Sequence, residues 1–395
     1  MKLHGSQGEI DMTQDDLYRL QEELLNKELV AQLKIEAITP VLIGGYDART
    51  HHACGYETLR PSSIKGVWRW WARMLVAAAV YRATGKFPDI NTADSIVSRV
   101  LGSTKTSSLY RLVVQKEGGR DAMSEVEKQV IEITSKYGYY AGVPRVRLLK
   151  LGDPDKALGP GSRFEVLLYR RREDKGYDRF AVCSLMLALT LGGVGKATTR
   201  GFGKFAVRCN RLVCCDERLT YNKLVVGDVN TVENNLKKAI EAGVTEAEKL
   251  VKDDPNVNAE HDKPLFETPV DGYYHIAVVD KSFRFDSKAL HAIGNATLKT
   301  KWEEDSQGKG PADYHTWILG LPRQTKERRK SPIIFTPLKR ANNDYRIAIL
   351  AFKTYDWREF VIKRMGVYKK EEVDKLIDTA FDEAIKRIIK IIERT

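Results

Sequence analysis

The spacing of apolar residues changes several times along the chain, and each change predicts an element. Between Thr13 and Gln32, Leu17, Leu20, Leu24 and Leu25 gather on one side of an amphipathic helix behind a short polar tail. Leu33–Ile43 alternates, is rich in β-branched residues and stops at Gly44-Gly45, the pattern of a strand. Pro61-Ser62-Ser63 opens a helix through about Thr84, with serine expected as N-cap and Gly85 as the stop. Ser108–Lys116 and Arg163–Arg171 read as strands, and the insertion between them holds an acidic helix near Ser124–Lys136. Asp178–Leu191 is an apolar helix, followed by a glycine loop and the strand Lys204–Arg208.

The order β, α, β, β, α, β is the split βαβ arrangement of a ferredoxin-like domain, one antiparallel sheet with two helices on one face. Further on, Thr231–Asp254 is a lysine- and glutamate-rich helix, and 253–264 reads as a linker. Strands at Tyr273–Asp280, Ser331–Leu338 and Tyr345–Tyr355, with helices at Ser287–Lys299 and Lys370–Arg394, fit a second such unit whose second helix is the C-terminal one. The expected class is α+β, two ferredoxin-like (RRM-like) domains in tandem with helical insertions. The expected division is a helical extension at 1–32, a first domain at 33–225 with an insertion at about 117–161, a helical linker at 226–265, and a second domain at 266–395 with its C-terminal helix.

Composition narrows the partners. With 43% apolar and 30% charged residues, the 395-residue chain is long enough for two folded domains. No apolar run approaches the roughly 18 residues of a membrane span, and no secretory signal pattern opens the chain. Five cysteines give no disulfide framework, so the expected compartment is the cytoplasm, with no membrane contact. Lys and Arg number 65 against 53 acids, a net charge of +12 that makes a polyanion the first partner to consider. The charge sits in islands. Leu59–Lys86 holds six basic residues and no acid, Gly192–Arg211 five and no acid, and Leu321–Arg340 seven against Glu327 alone. These islands exceed the net charge of the whole chain, so the remainder is slightly acidic.

On the helix opened by Pro61, Lys65, Arg69 and Arg73 fall within about 80° of one another, while Trp68, Trp70, Trp71, Met74 and Leu75 occupy the opposite arc. The aromatic arc is expected in the core, with Trp70 stacking on a base or bracing the helix, and the basic stripe on phosphates. Ser62, Ser63 and the amides of the first turn suit a phosphate as well. The stretch 192–204 is not a Walker A loop, because Thr190 stands at the first glycine position and Ala197 follows the lysine. Gly201-Phe202-Gly203-Lys204-Phe205-Ala206 fits a dinucleotide string but runs into a strand, the wrong context. Arg200-Gly201-Phe202-Gly203 matches the start of an RNP1 string, yet Lys204 replaces its stacking aromatic. What remains is close approach of amides to a polyanion beside Lys196, Arg200 and Lys204.

Thr39-Pro40, Gly44-Gly45 and 59–66 (Leu-Arg-Pro-Ser-Ser-Ile-Lys-Gly) with Arg69-Trp70-Trp71 resemble the N-terminal signature of the RAMP-superfamily subunit at the head of type III-B CRISPR (Cmr) effector complexes. Gly192-Gly193-Val194-Gly195 with Arg200-Gly201-Phe202-Gly203 resembles the superfamily's glycine-rich loop. Leu319-Gly320-Leu321-Pro322-Arg323 and Ser331-Pro332-Ile333 resemble that subunit's later block. The resemblance covers most of the chain. It implies two ferredoxin-like domains facing a basic cleft, a position near the 3′ part of the guide RNA, help in capturing target RNA, and other Cmr subunits as partners. In that family cleavage and cyclase activities belong to other subunits, so no catalysis is expected.

The expected RNA contacts are therefore Arg60, Lys65, Arg69, Trp70, Arg73, Lys196, Arg200 and Lys204, extended by Arg323, Arg328 and Arg329. Backbone phosphate contacts are expected at Gly44, Gly45, Ser62, Ser63, Gly193, Gly195 and Gly201. Neither cofactor nor metal is expected, and the isolated chain should be monomeric. Two other readings stand beside this one. A metal-independent endoribonuclease processing guide RNA would use His51 or His52 for proton transfer, and a pure protein-interaction subunit would bind no RNA. His51, His52 and Cys54, or Cys214-Cys215, could suggest zinc, but no second ligand set accompanies them.

Overall fold

The computed structural model describes residues 2–3, 10–11, 28–43, 59–118, 158–171, 176–212, 219–254, 257–297, 318–320, 331–366 and 369–395. A two-residue strand pair, Lys2–Leu3 with Ile10–Asp11, precedes the main elements. Strand β1 is Leu29–Ala37, so it begins inside the stretch predicted as helix and ends before Ile43. Residues 13–27 of the predicted helix lie outside the described residues, as does the acidic helix near Ser124–Lys136. After α1 (Pro61–Thr84) comes α2 (Ile90–Leu101), which the sequence pattern did not reveal. Strands β2 (Tyr110–Gly118) and β3 (Arg163–Arg170), helix α3 (Asp178–Leu187) and strand β4 (Phe205–Leu212) complete the unit. The sheet order β2-β3-β1-β4, antiparallel throughout, is that of a ferredoxin-like fold.

The pattern within β1 explains its placement. Leu33, Ile35 and Ala37 are buried against α1 and α3, while Gln32, Lys34 and Glu36 point to the opposite, open face. Helix α1 carries Trp68 and Trp71 into the core, and the Trp68 indole donates to Ser184 Oγ of α3 at 2.8 Å. Helix α4 (Val229–Lys252), expected as a linker, lies over α1 and α3. A Cβ at its Gly243 would stand 3.0 Å from both Leu75 and Leu187, and Arg82 of α1 pairs with Glu241 and Glu248 of α4.

The second unit holds β5 (Tyr274–Phe283), α5 (Asp286–Ala296), β6 (Ile333–Lys339), β7 (Tyr345–Phe352), α6 (Arg358–Met365) and α7 (Lys370–Arg394). Its order β5-β7-β6 reproduces the first three ferredoxin-like strands; no fourth strand is present among the described residues. Helix α4 reaches the edge where that strand would pair, and the β5 amide of Val278 donates to Glu233 Oε1 at 2.8 Å. The opposite edge, β6, meets the glycine loop of the first unit through an isolated parallel bridge between Phe335 and Arg200. Strands β6 and β7 are buried almost without interruption, as expected of a sheet covered on both faces. Among the described residues no helix is long and apolar enough to cross a membrane.

Candidate nucleic-acid interface

The end of the first sheet where β1 finishes gathers most of the expected RNA contacts. Helix α1 starts there, and the α3 helix, extended by a five-residue π turn Ala188–Gly192, finishes there. The chain from Ile38 to Ile43 threads between two partners. Val41 exchanges backbone bonds with Leu158 on one side; on the other, Gly203 N donates to Pro40 O and Lys196 N to Leu42 O. Gly44 and Gly45, which follow, lie outside the described residues.

Helix α1 begins at Pro61, with Arg60, not serine, as N-cap and no side chain capping the amides. Proline suits this first position because its missing N–H would have no helical partner. Ser62, Lys65 and Gly66 are exposed, Arg60 and Ser63 are half-buried, and the first turn holds no acid. The turn therefore presents amide dipoles, hydroxyls and a cation to solvent, a combination suited to an anion.

One turn further along, the expected stripe ends. Arg69 Nε donates to Asp94 Oδ1 at 2.8 Å and its Nη2 to Asp94 Oδ2 at 3.1 Å, while Nη1 reaches the Gly102 carbonyl. Arg73 Nε donates to the same Asp94 oxygen at 2.6 Å. Burial alone would raise the Asp94 carboxyl, but hydrogen bonds from Arg69 and Arg73 outweigh it and hold the carboxyl below its ordinary range. Both arginines, expected on phosphates, thus fasten α1 to α2. Trp70 is half-buried, its ring edge-on to Trp71 with centroids 6.4 Å apart, a bracing position. The stripe's partner went unseen in the sequence because α2 did. Its signals were present: Asp89 accepts from Thr92 N at 2.7 Å as N-cap, and Ala93, Ile96, Val97 and Val100 recur at helical spacing before Gly102.

The glycine loop lies inward. Lys204, expected to meet phosphate, is fully buried, and its ammonium donates to the carbonyls of Leu191 (2.5 Å) and Gly192 (2.9 Å) at the end of the π turn. It neutralises the negative end of that helix from within the core. Arg200, 7% exposed, donates to the Leu319 carbonyl at 2.9 Å, with its guanidinium 6.0 Å from the centre of the Phe335 ring. Gly201 has φ +90°, and a Cβ there would press on Ile293 and Leu290 of α5 and on Pro337 of β6. Gly193 and Gly201 are both buried. Glycine is needed at Gly201 for close packing of the two units and at Gly193 for close approach to Phe202 and Gly203 within the loop, not for approach to a strand of RNA. Gly195 is exposed and Lys196 half-buried at the outer turn of the loop.

Of the expected contacts, Arg60, Ser62, Ser63, Lys65, Gly195 and Lys196 share this end of the sheet with outward-facing atoms. Arg323, Arg328 and Arg329 lie outside the described residues, as do His51, His52, Cys54, Cys214 and Cys215. Among the described residues no group of three or more histidine, cysteine or acidic side chains gathers as a metal site would.

Comparison with known proteins gives concordant results. The RAMP superfamily model matches residues 34–206. The Pyrococcus furiosus protein "CRISPR system Cmr subunit Cmr1-2" is 30% identical over 191 residues, covering 45% of this chain and 94% of that protein. The Saccharolobus solfataricus "CRISPR system CMR subunit Cmr1" is 37% identical over 95 residues, 24% of this chain and only 20% of that protein. The chain thus spans a fifth of one of these curated relatives and nearly all of the other. Among solved structures, a chain of the type III-B Cmr-beta complex bound to cognate target RNA aligns over 91% of this chain and 100% of its own length, with TM-score 0.56 and 19% identity. The apo Cmr1 crystal structure from Pyrococcus furiosus aligns over 89% of this chain and 95% of its own, with TM-score 0.51 and 21% identity. At such identities these likenesses establish the fold.

Proposed function

The chain belongs to the Cmr1 family of the RAMP superfamily, and from that premise we propose that it is a noncatalytic RNA-binding and assembly subunit of a type III-B CRISPR RNA-silencing complex. It contacts the guide RNA 3′ region, target RNA, or both, and docks on other Cmr subunits in the cytoplasm. The observation that carries the reading is the uncapped first turn of α1. Its exposed Ser62 and Lys65 open on the same end of the first sheet as the Lys196 turn, with no acid in that first helical turn. An anionic backbone laid across this end would meet helix amides and two lysine side chains. The fold relative bound to cognate target RNA supports the choice of RNA as the polyanion. In this reading Arg323, Arg328 and Arg329 extend the track from the second unit, and the chain divides into two ferredoxin-like domains with the first beginning at Leu29.

One gel tests both halves of the proposal. End-labelled single-stranded RNA is mixed with the purified full chain in EDTA, and native and denaturing lanes are run side by side. The expected outcome is a shifted band in the native lane and full-length RNA in the denaturing lane. Guide-sized products abolished by His51→Ala or His52→Ala would make the protein a nuclease. Absence of a shift, with co-purification of other Cmr subunits, would make it a protein-interaction piece.

A further inference from the structure

Where the open face of the first sheet meets the second unit there is a cleft of about 750 Å³, within the roughly 300–1,000 Å³ of sites that take small organic groups. One wall is the open sheet face, with Glu36 from β1 and Ala206 and Arg208 from β4; the other is the turn Arg340–Asp344 that joins β6 to β7. The turn is closed by Arg340 N to Asp344 O at 2.8 Å and by Asn343 in the left-handed region at φ +63°. At one end of the cleft Val226 is 61% exposed, an apolar side chain held against solvent beside Asn222. Among the described residues only two other large apolar side chains are exposed, Ile90 and Phe285.

Phe285 follows β5 at the same end of the second sheet, where Phe283 pairs with Tyr345 and Tyr345 with the cleft residue Lys339. Arg340, part of the cleft wall, donates through Nη2 to Ser282 Oγ at 2.7 Å, three residues before Phe285. The Phe285 ring is 39% exposed and is approached by two cations, Arg284 at 5.5 Å and Lys288 at 5.6 Å from its centre. An exposed aromatic ring flanked by cations is the arrangement that stacks a base while holding its phosphate, without regard to sequence. In the cleft the chemistry is complementary. Arg208 is exposed on the sheet face, and the Lys339 ammonium makes a 3.6 Å pair with the partly exposed Glu36, a weak contact that can yield to phosphate. Asn222, Asn342 and Asn343 offer amides to a base edge.

We propose that this cleft and Phe285 together seat two nucleotides of one single-stranded RNA, one base entering the cleft against Val226 and another stacking on the Phe285 ring. The inference rests on the RNA-binding reading above and adds a second contact region, on the opposite face of the first sheet from the helices. It adds residues that lie outside the three cationic islands, Phe285 above all, to Arg208 and Lys339 at the ends of two of them.

The test uses the full chain and a twelve-residue oligouridine carrying 5-iodouridine, with affinity measured by fluorescence anisotropy across a salt series. Irradiation is expected to cross-link the probe at Phe285. Phe285→Ala should weaken binding roughly tenfold with an unchanged salt slope, because stacking releases no counterion. Arg208→Ala should reduce the log-log slope by about 0.7. Both side chains are exposed, so the variants should fold, checked by circular dichroism. Wild-type affinity and slope in both variants, or cross-links confined to α1 and the Lys196 turn, would overturn this assignment and leave the RNA-binding reading standing. No binding of the probe by the unmodified chain would overturn both. Unchanged RNA affinity with lost co-purification of another Cmr subunit would give the face to a protein and overturn the assignment.

Discussion

The first sheet leaves one face to solvent and the second is enclosed, and the difference is legible in their strands. β1 alternates, with Leu33 and Ile35 inward and Gln32, Lys34 and Glu36 outward, whereas β6 and β7 run nearly unbroken through apolar residues. The second sheet is covered by α5 and α7 on one side and by α4 and the π turn on the other, with Glu233 and the glycine loop against its two edges. It anchors the molecule. The first sheet keeps an open face and an open end, and among the described residues Arg60, Lys65, Lys196 and Arg208, all proposed to touch RNA, belong to that unit.

The comparison is broken most directly by paired substitutions. Ile349→Ala, in the enclosed β7, should cost about 2–5 kcal/mol, while Lys34→Ala on the open face should change stability by less than about 0.5 kcal/mol. Denaturant titration of both variants measures the contrast, and equal effects would mean the second sheet is not the better packed. Lys204→Met should cost about 1–3 kcal/mol, because the Gly192 carbonyl loses its buried donor. Lys196→Ala, in the same motif, should leave stability close to wild type and weaken RNA binding.

Asp94 sharpens the same contrast through pH. Its carboxyl is held below the ordinary value of 3.8 in the folded chain, so its contribution is present above that value and is lost as pH falls through the lower folded one. Wild type should therefore exceed Asp94→Asn in stability at neutral pH, and the gap should narrow as pH falls below about 4. Urea titrations at pH 7 and pH 3 read the difference, and a gap undiminished at pH 3 would show that Arg69 and Arg73 do not depend on the charged carboxylate.

The ferredoxin-like order was legible because strand alternation and helix stops are local signals. Pro61–Thr84 and Lys370–Arg394 stand where the sequence placed them. What local pattern could not carry is which cation already has a partner. Arg69, Arg73, Arg200 and Lys204 read as a phosphate track because their counterparts escape local pattern: Asp94 on a helix the pattern did not reveal, and carbonyls of Leu319, Leu191 and Gly192 that leave no trace in side-chain composition. Gly201 likewise looked like a phosphate loop, since a glycine needed for contact with Pro337 and one needed for contact with RNA are the same letter. Charge in a sequence therefore bounds the binding surface from above, and burial removes the cations that hold the fold.

The most direct test is the salt dependence of single-stranded RNA binding by the full chain and by a Lys65→Ala, Lys196→Ala double variant, with the RNA recovered afterwards on a denaturing gel. The log-log slope should be smaller by about 1.4 in the variant, because two phosphates are no longer neutralised, and the RNA should be intact in both samples. An unchanged slope would contradict the placement of RNA at the α1 end of the first sheet, and shortened RNA would contradict a subunit that binds without cutting.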